Sequence, residues 1–155
     1  MQIKEFMSQP VTVVHEDTTL EEIARTLLDQ NIGCVPVVNA RGKISGIITE
    51  SDFAAKEKGI PFSTFRAPQL FGQWLDKGAV ERIYERARTV TAKEIMINPV
   101  ITVTEAQPVE AALELLLKHD VNRLPVVRDG VPVGIVSRHD LLRLMVRKMA
   151  GQEKR

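Results

Sequence analysis

Cysteine is nearly absent from this chain: Cys34 is the single one among 155 residues. One thiol excludes an intramolecular disulfide framework and suits a reducing compartment. Aromatic residues make up only 5 %, with one tryptophan and one tyrosine. No apolar run approaches the ~20 residues needed to cross a bilayer. Nothing at the N-terminus has the basic, then apolar, then small-residue pattern of a secretory signal, so a cytoplasmic location is expected. Charge of one sign is missing too, because a formal net charge of +1 leaves no global field to draw the chain to nucleic acid or to anionic lipid. His15, His119 and His139 are scattered, with neither H-x-x-x-H nor C-x-x-C spacing, so no metal site is expected. Phosphate-binding loop, dinucleotide fingerprint, serine elbow and zincin motifs are all absent, and no catalytic residue is nominated. Cys34 reads as a small buried residue beside a strand rather than as a nucleophile.

What is present is written twice. Gly46-Ile47-Ile48-Thr49-Glu50-Ser51-Asp52 recurs as Gly134-Ile135-Val136-Ser137-Arg138-His139-Asp140. In each copy a glycine opens a short β-branched run, a hydroxyl residue comes next, and an aspartate stands three positions later. The run reads as buried strand and the residues after it read as helix. Hydroxyl and carboxylate therefore fall at a helix N-terminus, where N–H groups are unpaired and anions are favoured. Two readings stay open at this point. Thr or Ser with Asp three residues later is close to a capping box and needs no ligand; alternatively, the pair receives one.

The repetition extends well beyond the motif. Lys4-Glu5-Phe6-Met7 with Pro10-Val11 answers Lys93-Glu94-Ile95-Met96 with Pro99-Val100, and Pro36-Val37-Val38 answers Pro125-Val126-Val127. Two copies are too few for a solenoid. They are expected to pack on each other as a pseudo-twofold pair. In repeat one, Val11 to Val14 reads as extended. Thr18 is the expected N-cap, with Glu21 at the capping-box position. Leu20, Ile23, Ala24, Leu27 and Leu28 form an amphipathic stripe that should stop by Gly33. Val35 to Val38 and Ile44 to Ile48 read as strands joined by a turn, and a helix from about Ser51 closes the unit. In repeat two, Pro108 is expected at the first helical position. Val109, Ala112, Leu113, Leu116 and Leu117 rebuild the stripe, and Asp129-Gly130 makes a tight turn. The expected fold class is α+β, with two β-α-β-β-α repeats.

As domains, residues 1–150 read as one module, with repeat one at 4–55, an insert at 56–91 and repeat two at 93–145. A tail at 151–155 is expected to fray. Within the insert, Val80, Ile83, Tyr84 and Ala87 predict a short helix. Phe62, Phe65, Phe71, Trp74 and Tyr84 either cap the core locally or form a surface for self-association.

With these residues laid out, the sequence resembles the CBS domain pair, or Bateman module. The carriers are the opening K-E-x-M-x-x-P-V, the capped apolar helix, the V-P-V-V and L-P-V-V strands, and the two glycine-led motifs. The resemblance implies units packed through their sheets, frequent pairing of modules into a homodimer, and clefts that bind AMP, ADP or ATP, less often S-adenosylmethionine. The family's sites, carried over, would place one cleft at Ser137, Arg138, His139 and Asp140 with Met7, Pro10, Thr12, Ile32, Gly33, Cys34 and Pro36. A second cleft would take Thr49, Ser51 and Asp52 with Met96, Pro99, Ile101, Val121, Asn122 and Arg123.

The chemistry of these residue types agrees with such a ligand. A carboxylate can accept both hydroxyls of a ribose, and a helix start suits a phosphate. The first cleft is expected to bind better, because Arg138 and His139 flank its hydroxyl–aspartate pair where the other copy has Glu50 and Ser51. The expected function is a non-catalytic regulatory module that senses adenine nucleotides and acts on a separate effector protein. The alternative is a ligand-free dimerisation scaffold. Binding to membrane or nucleic acid is not expected.

Overall fold

Each copy of the repeated pattern builds a three-stranded sheet with a helix over it. The computed structural model describes residues 1–54, 81 and 85–152, and the architecture is mixed α+β. Strands β1 (Val14–His15), β2 (Cys34–Val38) and β3 (Ile44–Thr49) form one sheet with helix α1 (Leu20–Asp29). A short helix, α2 (Ala92–Ile95), comes next. Strands β4 (Val103–Thr104), β5 (Arg123–Arg128) and β6 (Val131–Ser137) form the other sheet, with helices α3 (Val109–Lys118) and α4 (Arg138–Gln152). In both sheets the central strand pairs parallel with the short first strand and antiparallel with the third. Pro36 sits in central β2 without breaking the ladder, because β1 reaches only Val37 and Val38, so the proline's missing N–H costs no β1 bond.

The compact units do not coincide with the sequence repeats. One, the terminal unit, comprises Met1–Thr12 with Ile101–Arg155; the other, the central unit, is Val13–Val100. The lead segment of each repeat thus folds with the sheet of the other. In the terminal unit Ile3 N donates to Gln107 O (3.0 Å), Lys4 N to Glu105 O (3.1 Å) and Val109 N to Met1 O (3.2 Å). The central unit repeats the set: Ala92 N to Thr18 O (2.8 Å), Lys93 N to Glu16 O (2.9 Å) and Leu20 N to Val90 O (2.8 Å). Ile3 and Met7 complete the apolar core around Leu116, Leu124 and Val126. Val90, Ala92 and Ile95 do the same around Leu20, Ile23 and Val35.

The two glycines that open the motifs have a role in this docking. Gly46 and Gly134 lie on β3 and β6, and the lead segments bridge beside them, Ile97 to Ile47 and Ser8 to Ile135. A Cβ on Gly134 would stand 2.7 Å from Met7 Sδ and 3.0 Å from Ser8 O; one on Gly46 would stand 2.7 Å from Met96 Cβ. The methionine side chains, and at Gly134 the Ser8 carbonyl as well, approach this closely only because the strand residue has no side chain.

Helix ends depart from the expected positions by one residue. Thr19, not Thr18, caps α1: its Oγ1 accepts from Glu22 N (3.3 Å) while Glu22 Oε2 accepts from Thr19 N (3.0 Å). Two overlapping T-x-x-E frames compete here, and Thr18 Oγ1 is engaged by His15 N (3.0 Å). Pro108 is the N-cap of α3 with extended ψ, rather than its first helical residue. Termination precedes Gly33. Asn31 adopts φ 51°, with Asn31 N bonded to Leu28 O and Ile32 N to Leu27 O. Asp120 (φ 49°) and Val121 repeat this arrangement on Leu117 and Leu116, a Schellman motif in which Asn and Asp replace the usual glycine. The stripe is also narrower than expected. Leu20, Ile23 and Leu27 are buried, but Leu28 is 80 % exposed, and with Ala24 and Phe53 it lines a groove of 290 Å³. On α3, Leu113 and Leu117 likewise face outward. Ser51 falls in a 3-10 turn, Glu50–Ala54.

Residues 85–89 are helical and Ala87 is buried. The insert's aromatics (Phe62, Phe65, Phe71, Trp74 and Tyr84), together with Val80 and Ile83, lie outside the described residues, as do the last residues of the tail.

Two consequences can be measured. Gly46→Val and Gly134→Val are each expected to cost about 1–3 kcal/mol through overpacking; an unchanged urea midpoint would refute the close approach. The second concerns Glu105, which receives Arg128 Nε (2.7 Å) and Nη2 (2.8 Å). These bonds hold its carboxyl below the ordinary glutamate range. A carboxyl depressed in the folded state stabilises above its unfolded pKa and loses that contribution as pH falls through its folded one. Acidification from roughly pH 5 downward is therefore expected to lower the melting temperature less in Glu105→Gln than in the parent. Parallel melting curves against pH would refute the pairing.

Candidate ligand-binding site

The strand-to-helix junctions are built from their own side chains. In the terminal unit β6 ends at Ser137 and α4 begins at Arg138. Asp140 Oδ2 accepts from Ser137 N (2.9 Å) and from Ser137 Oγ (2.7 Å), while Asp140 N donates back to Ser137 Oγ (3.2 Å). The other oxygen, Oδ1, lies 4.0 Å from Arg143 Nη1. In the central unit Asp52 Oδ2 accepts from Thr49 N (2.7 Å) and Thr49 Oγ1 (3.3 Å), and Thr49 Oγ1 shares a 2.7 Å hydrogen bond with Ser51 Oγ. Both carboxylates are buried, Asp52 at 5 % exposure and Asp140 at 7 %. The capping reading is therefore correct as far as it goes. It spends Oδ2 of each aspartate on the chain and holds the carboxylate in a fixed plane.

A loop stands against each turn. The Schellman motif after α3 delivers Val121-Asn122-Arg123, where Asn122 O accepts from Arg138 N (3.0 Å). The motif after α1 delivers Ile32-Gly33-Cys34, where Gly33 O accepts from Glu50 N (3.1 Å). In the antiparallel ladders Arg123 stands opposite Ser137, and Cys34 opposite Thr49. Within a unit, then, each loop is joined to the turn of its own repeat, a pairing that the sequence grouping did not make.

The other candidate residues divide between the two units. Met7, Pro10 and Thr12 share the terminal unit with Ser137 to Asp140, and Ile101 packs against that unit's core. Met96 and Pro99 share the central unit with Thr49 to Asp52, as do Ile32, Gly33, Cys34 and Pro36. Met7, Cys34 and Pro36 are buried, whereas Pro10, Ser51, Pro99, Asn122 and His139 are exposed. Arg138 has partners that the sequence did not suggest. Its Nε donates to Val121 O (3.1 Å), and its Nη2 to Leu116 O (3.3 Å) and Asp120 Oδ1 (3.0 Å). Asp120 is not among the residues that the sequence singles out. Its signal was available in the polar residue that ends each apolar stripe just ahead of Ile32 or Val121.

Two stretches, residues 3–59 and 92–147, match the model of the CBS domain. The chain belongs to the CBS domain family. Across 94 % of its length it is 32 % identical to protein MJ1426 of Methanocaldococcus jannaschii, covering 92 % of that protein. Among solved structures it is similar to the CBS domain of a CBS domain-containing membrane protein from Sphaerobacter thermophilus. The identity there is 41 % and the TM-score 0.78, over 93 % of this chain and 87 % of that one. It is also similar to the CBS domain pair of protein MJ0100, solved in complex with 5′-methylthioadenosine and S-adenosyl-L-methionine. That likeness has 28 % identity and a TM-score of 0.69, over 96 % and 98 % of the two chains. Each matched CBS stretch begins with a lead segment, so the family pattern tracks the sequence repeat and not the compact unit.

Proposed function

We propose that this CBS pair is a non-catalytic regulatory module that binds an adenosine-containing ligand, with AMP, ADP or ATP as the leading candidates. The observation that carries the reading is the buried Asp140 carboxylate. Its Oδ2 is anchored on Ser137, which leaves Oδ1, with its own lone pairs, to accept ribose hydroxyls. The MJ0100 pair, 28 % identical, was solved with two adenosine compounds, and that supports the ligand class. The turn in the terminal unit is the better site for an anionic ligand. Arg123 stands opposite its hydroxyl, whereas the central unit offers Cys34 opposite Thr49, with Glu50 next in the chain. Val121 and Asn122 line this turn, and His139, Thr12 and Pro10 belong to the same unit. Asp52, with Thr49 and Ser51, is the weaker second site. The ligand state is passed to a separate effector protein in the cytoplasm. Among the described residues, no helix is long and apolar enough to cross a membrane.

The competing reading is a scaffold without ligand, favoured by the caps that both aspartates already form. Calorimetry with AMP, ADP, ATP and S-adenosylmethionine separates the two. Asp140→Asn keeps a cap acceptor but loses the charge, and is expected to weaken binding about ten- to a hundredfold. Asp52→Asn is expected to leave the tighter site nearly intact. Absence of binding by all four ligands would establish the scaffold, and a larger loss from Asp52→Asn would move the principal site to the central unit.

We also propose that the module self-associates through α3 and α4. Leu142, Met145, Val146 and Met149 form an i, i+3, i+4, i+7 stripe, 59 to 67 % exposed, and Leu113 and Leu117 extend it on α3. The flanks have opposite sign, Glu110 and Glu114 on α3 against Arg143, Arg147 and Lys148 on α4. A twofold pairing that lays α3 of one copy on α4 of the other therefore matches charge as well as apolar surface. Sedimentation is expected to give a dimer at tens of micromolar and a monomer for Val146→Glu. A monomeric parent would overturn the assignment.

A further inference from the structure

We infer that Arg138 is a positioning residue, which holds the Val121-Asn122-Arg123 loop in binding geometry without touching the ligand. The inference rests on the proposed adenosine site in the terminal unit. Arg138 lies between the hydroxyl and the aspartate of the motif, at the first position of α4. Its backbone N–H reaches Asn122 O (3.0 Å), and its guanidinium reaches Val121 O (3.1 Å), Leu116 O (3.3 Å) and Asp120 Oδ1 (3.0 Å). Leu116 O is also the acceptor for Val121 N (3.1 Å). One side chain thus clasps both ends of the Schellman turn. It closes the loop with donors that only a planar, forked cation can supply together. A positive charge at the C-terminal end of α3 is also favourable to the helix dipole.

Among the described residues the central unit has no such clasp. Glu50 occupies the corresponding position and its carboxylate has no N–H to donate, so of the two links only the backbone bond from Glu50 N to Gly33 O (3.1 Å) is repeated. A carboxylate near the carbonyl end of α1 is also unfavourable to the dipole. The loop of the terminal unit is therefore held by a side chain that position 50 of the central unit cannot supply. Pre-organisation adds to affinity, so the clasp favours the terminal site for a reason additional to the charge of Arg123.

The test uses the full chain, the variants Arg138→Lys and Arg138→Gln, and adenosine, AMP and ATP as probes, titrated at a temperature well below the melting transition. If Arg138 positions the loop, each variant weakens all three ligands by the same factor, about five- to tenfold. The lysine variant then fails as fully as the glutamine, although it keeps the charge. Hydrogen exchange without ligand should also show faster exchange at the Val121 and Arg138 amides. A loss that grows with phosphate number and vanishes for adenosine would mean that Arg138 contacts phosphate, and would overturn the inference while leaving the adenosine site in place. Unchanged affinities with a lowered melting temperature would mean a structural role only, and would overturn it equally. If the parent chain binds none of the three probes, the adenosine reading itself fails and the inference falls with it.

Discussion

Each sheet in this protein is finished by a segment borrowed from the other repeat, and the rest of the structure depends on that closure. A three-stranded sheet with one covering helix leaves a strand edge unpaired and a core unfilled. The lead segments meet both needs. Their backbone bridges at Ser8 and Ile97 continue the ladders of β6 and β3, and Met7, Ile3, Ala92 and Ile95 fill the cores. The glycines at 46 and 134 are a result of this arrangement. They belong to the docking of the methionines, although in the sequence they look like part of the ligand motif. The same strands end in the hydroxyl–aspartate turns, so a segment that seals the sheet also fixes where the turn stands.

At those turns a cap does not by itself exclude a ligand. A cap uses one carboxylate oxygen and two donors of the chain; a ligand needs an acceptor held still in a partly desolvated place. Ser137 and Asp140 supply the first, and a carboxylate already tied to its own N–H would not have to be ordered by a ligand. The cost is that neither aspartate can offer both of its oxygens.

Much of this was legible in the sequence. The matched order of the two repeats, with one residue lost in the turn before the glycine-led motifs, marked the strands, the helix stripes and both junctions, because turn chemistry and periodicity act over a few residues. Features decided by longer-range competition were not. Thr18 and Thr19 both fit a capping box, and the choice was made by Thr18's hydrogen bond to His15. Leu28 and Leu117 fit an apolar stripe, but a narrow sheet with a two-residue first strand (β1 or β4) can bury only one seam of each helix. Similarity between repeats records which segments correspond. It says nothing of which segments touch, so the exchange of lead segments and the pairing of each loop with its own turn had no local signature. Arg138 was visible as a cation beside the motif, but its partners on Leu116, Asp120 and Val121 come from the end of a helix and the turn after it, some twenty positions earlier in the chain.

The exchange has a bearing on how the chain can be cut. The terminal unit is discontinuous in sequence, because Met1–Thr12 and Ile101–Arg155 are separated by the whole of the central unit. A circular permutant that starts at Ile101, passes through a linker from Arg155 to Met1 and ends at Val100 would make each unit contiguous and leave every contact in both cores available. Splitting the gene between the repeats would do the reverse. Each half would carry the plug for its sibling's core and lack its own, so the two fragments should be sticky alone and recover order only when mixed. For a protein read as two copies of one motif, the indivisible piece is the pair.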